Sequence, residues 1–163
     1  MKVRTMRASD WVAVARIYEE GIATGMATFE SSVPSWEDWD MAHMRSCRFV
    51  VENDDTVLAW AALTPVSSRC VYAGVAEVSV YAAANARGKG LGKLLLKALI
   101  SASEKEGIWT LQAGIFPNNV ASLKLHRDMG FRLIGKRERI GKLHGIWHDN
   151  CILERRSDII GID

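Results

Sequence analysis

The stretch from residue 76 to residue 100 limits what this chain can fold into. Ala76-Glu77-Val78-Ser79-Val80-Tyr81 is β-branched and alternating, which predicts a strand. After a short Ala/Asn segment comes Arg87-Gly88-Lys89-Gly90-Leu91-Gly92, and Lys93 to Ile100 then begins an amphipathic helix. Glycines between a strand end and a helix start let backbone approach a ligand closely. The first N–H groups of a helix have no internal partner and point outward at such a ligand. Phosphate is the natural guest, and Arg87, Lys89 and Lys93 add positive charge. A Walker loop needs glycine at position 87 and Ser or Thr at 94, where this chain has arginine and leucine. A dinucleotide fingerprint places its third glycine at Lys93 or Leu95, depending on register. Neither nucleotide motif is present.

A second segment narrows the choice. Asn118-Asn119-Val120-Ala121-Ser122-Leu123-Lys124-Leu125-His126-Arg127-Asp128-Met129-Gly130-Phe131 follows a predicted strand from Trp109 to Phe116. Pro117-Asn118 is expected to open a helix, with the asparagine side chain available for capping or for the ligand. Val120, Leu123 and Leu125 form its apolar face, and Gly130 stops it. Arg-x-x-Gly-x-Gly followed by this segment resembles the two signatures of the GCN5-related N-acetyltransferases (GNAT). The resemblance implies that Arg87, Gly88, Lys89, Gly90, Leu91 and Gly92 hold the pyrophosphate of acetyl-CoA. It further implies that backbone groups of Val78, Ser79 and Val80 bond the pantetheine arm, with Asn118 and Ser122 on the far wall of the channel.

The remaining elements predict the order β-α-α-β-β-β-α-β-α-β-β. Val3 to Met6 is a strand, and Ser9 is expected to cap a helix ending near Gly21 or Gly25. Pro34-Ser35 opens a second helix, with Asp38 as capping-box partner. Phe49 to Glu52 and Val57 to Leu63 pair about Asn53-Asp54-Asp55, and Phe131 to Ile140 and Ile146 to Glu154 pair about a turn from Gly141 to Gly145. This order is an α/β chain with a central mixed β-sheet flanked by helices on both faces. The family resemblance adds that the two middle strands splay apart. Residues 1–163 read as one N-acetyltransferase domain with a tail, 157–163, expected to fray.

Bulk properties exclude other classes. A net charge of +2 gives no field for nucleic acid, and no apolar run is long enough for a membrane span. Met1-Lys2-Val3-Arg4 leads into charged sequence and does not read as a signal peptide. Cys47, Cys70 and Cys151 are odd in number and scattered, which points to reduced thiols in a cytoplasm and to no metal site.

Three further segments carry a finer resemblance. Ala76 to Tyr81, Ala27-Thr28-Phe29-Glu30 and Lys142-x-His144-Gly145-x-Trp147-His148-Asp149 together resemble the phosphinothricin and methionine sulfoximine acetyltransferase branch. That implies acetylation of the α-amino group of methionine sulfone, methionine sulfoximine or phosphinothricin, a detoxification role, and a homodimer. An α-ammonium must lose a proton before it attacks a thioester, so a base is needed within reach. Glu77 matches the family's proposed base, and His126 is the second candidate, as base or as acid toward the thiolate. Arg69 is expected to anchor the substrate carboxylate, with Tyr72 in the same pocket and Phe29 and Glu30 roofing it. Val78 would also touch the substrate. Trp36, Trp39 and Trp60 read as core, and His43 as an ordinary structural residue. A protein N-terminal or other amine acetyltransferase, and a non-catalytic acyl-CoA-binding module, share the cofactor signatures and stay open.

Overall fold

A computed structural model describes all residues from 1 to 163. Seven strands and four helices follow the predicted order: β1 (Lys2–Thr5), α1 (Trp11–Ile22), α2 (Trp36–Ala42), β2 (Phe49–Asn53), β3 (Thr56–Pro65), β4 (Val75–Ala82), α3 (Leu91–Lys105), β5 (Thr110–Ile115), α4 (Val120–Asp128), β6 (Arg132–Leu143) and β7 (Ile146–Arg156). The strands form one sheet in the order β1-β2-β3-β4-β5-β7-β6. All neighbours are antiparallel except β4 and β5, so the sheet is mixed as expected.

Alternation along β3 and β4 assigns the two faces. Trp60 and Tyr81 are opposite each other in register, and their rings stack with centroids 4.9 Å apart. Tyr18 of α1 packs on both, and Trp39 of α2 meets Trp60 edge-on, so α1 and α2 cover this face. Glu77 and Ser79 alternate with Tyr81 and share its side. Ala76, Val78 and Val80 alternate to the other side, toward α3, which packs on β2, β3 and β4. Leu91, Leu95, Leu96 and Leu99 form the buried stripe of α3, each at most 2% exposed. Burying one such leucine contributes about 1.5–3 kcal/mol.

Local chemistry sets most element ends. Ser35 Oγ accepts from the Asp38 N–H at 3.1 Å, the expected cap of α2. Asp54 and Asp55, with φ of 47° and 59°, make the two-residue turn between β2 and β3. Four expectations are corrected. Ser9 does not cap α1; it sits inside a 3₁₀ turn, Ala8–Asp10, where the Asp10 carboxylate accepts from the Arg7 N–H at 2.7 Å. Helix α3 starts at Leu91, two residues before Lys93, because Gly90 in the left-handed region closes the turn directly. Helix α4 starts one residue late, since Asn119, rather than Asn118, accepts from the Ser122 N–H at 3.2 Å. The last hairpin turns on His144-Gly145 alone, both with positive φ, so its strands run longer than predicted.

The tail expected to fray is fastened where it leaves β7. Ser157 Oγ donates to Glu104 at 2.9 Å and accepts from the Ile159 and Ile160 N–H groups. The Arg156 guanidinium donates to the carbonyls of Ile160 and Gly161. Ile159 and Ile162 remain exposed.

Candidate active site

Strands β4 and β5 pair only at Val75–Thr110, Ala76–Leu111 and Glu77–Gln112, and then separate. The separation is the expected splay. Beyond it β4 stays on β3, while β5 stays on β7 through Ile115, so each turns a free backbone edge to the gap. A cavity of about 460 Å³ opens there. Phe29 and Glu30, on the connection between α1 and α2, contribute to its wall. Phe29 packs edge-on against Phe116 at 4.7 Å and against His148 at 6.3 Å. It also fills the space beside Gly141, where a Cβ would stand 2.9 Å from its ring. His148 and Asp149 thus have local duties: one stacks on Phe116, the other accepts from the Arg139 N–H at 2.8 Å.

Glu77, Val78, Ser79 and Val80 line the cavity, as do Ser122 and His126 of α4. Glu77 sits at the last paired position before the splay, and Gln112 Nε2 donates to its Oε2 at 2.9 Å. That bond occupies one carboxylate oxygen and orients the other. His126 is 4% exposed. Its Nδ1 lies 2.8 Å from the Ser122 carbonyl, so Nδ1 carries the proton and donates, leaving Nε2 as a lone pair. Nε2 is buried with no partner. Burial pushes the imidazole pKa down, against the Ser122 carbonyl, which raises it. His126 is therefore neutral near pH 7, a form that accepts a proton before it can give one.

Several wall residues carry no signal in the sequence. His43 is on the cavity wall, with the structural contacts its reading as an ordinary structural residue expects. Its ring stacks on Trp39 at 4.1 Å, and its Nδ1 donates to the Trp39 carbonyl at 2.7 Å. Burial lowers its pKa as well, opposed by that carbonyl and assisted by Arg48. Tyr18 and Tyr81 line the same region, and burial raises both phenols, with the charge on Glu30 adding to each. Asn119, Arg137 and Asn150 complete the polar set. Helical spacing at 119, 122 and 126 was the one available clue to Asn119, since these positions share a face. Arg69 and Tyr72 stand outside the cavity. The 3₁₀ turn Cys70–Tyr72 aims them at solvent, where the guanidinium lies 5.5 Å from the tyrosine ring centroid. Asn118 is exposed and off the wall, displaced by the later start of α4.

The glycine loop lies beside this cavity. Gly92 packs so closely on Leu125 of α4 that a Cβ would stand 2.6 Å from its methyl carbon. The same helix turns Asn119, Ser122 and His126 to the cavity, so α4 joins loop and cavity. Gly88 and Gly90 have φ of 75° and 78° with open space beside them, and it is the conformation that requires glycine. The N–H groups from Gly88 to Lys93 have no backbone partner. Lys89 and Lys93 are exposed beside them, while Leu91 is buried in the core. Arg87 turns away from the loop, donating to the Glu20 carbonyl at 3.2 Å and Ala82 at 3.4 Å. Free N–H groups at a helix start, two lysines and an unpaired strand edge fit a diphosphate with an amide-bearing arm. No group of three or more His, Cys, Asp or Glu side chains is placed to hold a metal ion.

Comparison with known proteins agrees with this geometry. A family model described as the acetyltransferase (GNAT) family matches residues 11–131. The chain is 34% identical over 163 residues to phosphinothricin N-acetyltransferase of Alcaligenes faecalis, covering 94% of this chain and 81% of that one. It is 28% identical over 162 residues to the L-methionine sulfoximine/L-methionine sulfone acetyltransferase of Pseudomonas paraeruginosa, covering 96% and 94%. Among solved structures, the ribosomal-protein-alanine N-acetyltransferase from Brucella melitensis superposes with a TM-score of 0.90 at 28% identity, covering 96% and 100%. A phosphinothricin acetyltransferase from Sinorhizobium meliloti in complex with AcCoA superposes with a TM-score of 0.85 at 29% identity, covering 95% and 87%.

Proposed function

Since the chain belongs to the acetyltransferase (GNAT) family and is an acetyl-CoA-dependent N-acetyltransferase, we propose that it acetylates the α-amino group of small amino-acid analogues. Methionine sulfone, methionine sulfoximine and phosphinothricin are the proposed acceptors, and detoxification the role. The observation that carries this is the cavity at the splay. It holds about 460 Å³, has Phe29 on its wall, and is lined by Glu30 and Glu77 together with a single guanidinium. A zwitterionic amino acid matches that mixture of charges. The names of the relatives support the same acceptors.

Acetyl-CoA, when bound, supplies the acetyl thioester. The Gly88 to Lys93 amides and the β4 edge at Val78 to Val80 would hold it. We assign Glu77 as the base that takes the ammonium proton, with Gln112 fixing its carboxylate. Because His126 is neutral with Nδ1 bonded to Ser122, it enters as an acceptor at Nε2 and gives that proton up later. Glu30 faces the same space and would help hold the ammonium.

The second reading, a protein N-terminal acetyltransferase, has the Brucella melitensis likeness in its favour. A thiol-release assay with a panel of amino acids and peptides separates the two. Turnover of methionine sulfone with none of alanine-terminated peptides is expected, and the reverse pattern overturns the proposal. Binding of acetyl-CoA without turnover of any amine would leave a non-catalytic acyl-CoA module. We also propose a homodimer, because Leu133, Ile134, Ile140, Ile146 and Trp147 are all exposed along β6 and β7. A cytoplasmic location is proposed on the three free thiols. No helix is long and apolar enough to cross a membrane.

A further inference from the structure

Arg137 is the one lining residue of the cavity with a fixed positive charge. It stands on β6 opposite Asn150 of β7. Its Nη2 donates to Asn150 Oδ1 at 3.2 Å. Asn150 is 6% exposed and lies against Gly114 of β5, where a Cβ would come within 3.1 Å of Oδ1. Gly114 thus leaves room for the amide, and the amide steers the guanidinium.

The neighbouring strand geometry singles this arginine out from the other cations of β6. Between Arg137–Asn150 and Gly141–His148 the register shifts, so residues 138–140 face Asp149 alone. Arg139 takes a φ of 47° in this bulge and its backbone N–H engages Asp149, while its guanidinium and the Lys142 ammonium lie over the Trp147 ring, 5.9 and 5.0 Å from the centroid and outside the cavity lining. Lys136 approaches the other Asp149 oxygen at 3.7 Å, and Arg132 pairs with Glu154 at 2.8 Å. Arg137 is paired with no carboxylate. Its one partner is a neutral amide oxygen, and most of its five N–H donors are uncommitted. A guanidinium held at one corner on a cavity wall is suited to grip an oxyanion in bidentate fashion.

We propose that Arg137, positioned by Asn150, binds an oxyanion of the acceptor. The anion is either the α-carboxylate or an acidic side-chain head. The inference rests on the amino-acid reading above. It moves the anchoring role from the exposed Arg69 to a residue inside the cavity. With Glu30 and Glu77 drawing the ammonium, Arg137 gives the cavity its opposite pole.

The test compares wild type, Arg137→Gln, Arg137→Lys, Asn150→Ala and Arg69→Gln on three acceptors: methionine sulfone, its carboxamide and phosphinothricin. Arg137→Gln is expected to raise KM by about 10- to 100-fold with kcat nearly unchanged. Acetyl-CoA affinity by calorimetry stays at the wild-type value, which also reports folding. Arg137→Lys recovers part of the loss, and Asn150→Ala raises KM without lowering kcat. If the α-carboxylate is the ligand, wild type discriminates against the carboxamide and Arg137→Gln does not. If the acidic head is the ligand, phosphinothricin alone suffers. An unchanged KM for both acids in Arg137→Gln, or a loss confined to Arg69→Gln, overturns the subsite while the amino-acid reading survives. A wild-type enzyme that turns over peptides but none of the three acceptors overturns both.

Discussion

Glu77 and His126 are held by opposite means, and their chemistry follows from that. Glu77 keeps one oxygen on Gln112 and the other on the cavity side. Glu77→Gln preserves the size and the capacity to meet Gln112 but removes the proposed base. We expect kcat to fall by about 100-fold or more with acetyl-CoA affinity intact, read by thiol release and calorimetry. His126 is buried and its pKa lies below the ordinary 6.5. A base must be unprotonated, and a lowered pKa keeps it so at more acidic pH. The acid limb of kcat/KM contributed by this histidine therefore falls below pH 6.5. A pH–rate profile checks this, and His126→Asn is expected to remove that limb. A limb centred above 6.5 that survives the substitution would exclude His126 from proton transfer. The face on which Glu77 lies was legible in the sequence because strand alternation places it, whereas its proposed role came from the family resemblance. The tautomer of His126 was not, because it depends on a carbonyl one helical turn away.

At the scale of elements, the glycine loop and α4 do different work. Gly88 and Gly90 need positive φ, and neither is crowded. Gly90→Ala should therefore act through backbone strain alone, which costs about 1–2 kcal/mol for an L residue. If that strain reshapes the start of α3, acetyl-CoA affinity drops by about 5- to 30-fold. Calorimetry measures it, and an unaltered affinity would show that the loop does not hold the ligand. Gly92 is a different case, since Leu125 occupies the space a side chain would need. The sequence motif treats these glycines alike, whereas the fold separates conformational from packing demands. Helix α4 shows the limit of reading caps from sequence. Asn118 and Asn119 are chemically identical, and only the turn after Phe116, closed by Asn119 N–H to its carbonyl at 2.9 Å, decides between them.

For the whole molecule, protonation and association are the testable properties. The pKa values of His43 and His126 are lowered by burial, and that of Asp10 chiefly by its hydrogen bonds from Arg4. Groups with depressed folded pKa values stabilise the fold above their ordinary pKa and lose that contribution as pH falls through the folded value. Thermal midpoints should therefore decline below about pH 6.5 as the unfolded histidines take up protons, and again below about pH 3.8 for Asp10. Scanning calorimetry against pH checks this, and a flat profile from 6.5 to 5 would contradict the buried neutral histidines. The proposed dimer should sediment at about twice the 18.1 kDa of one chain. Trp147→Glu should shift it to monomer, and a wild-type monomer would remove the proposal. The sequence by itself determined the order of elements, the glycine turn after β4 and the strand face on which Glu77 lies, because alternation, glycine spacing and helical period are local properties. Only the tertiary structure decided which polar groups share the cavity. His43, Arg137 and Asn150 arrive there from an α2 end and two distant strands, by sheet register and a bulge that no local pattern encodes. The same long-range packing leaves Arg69 at the surface.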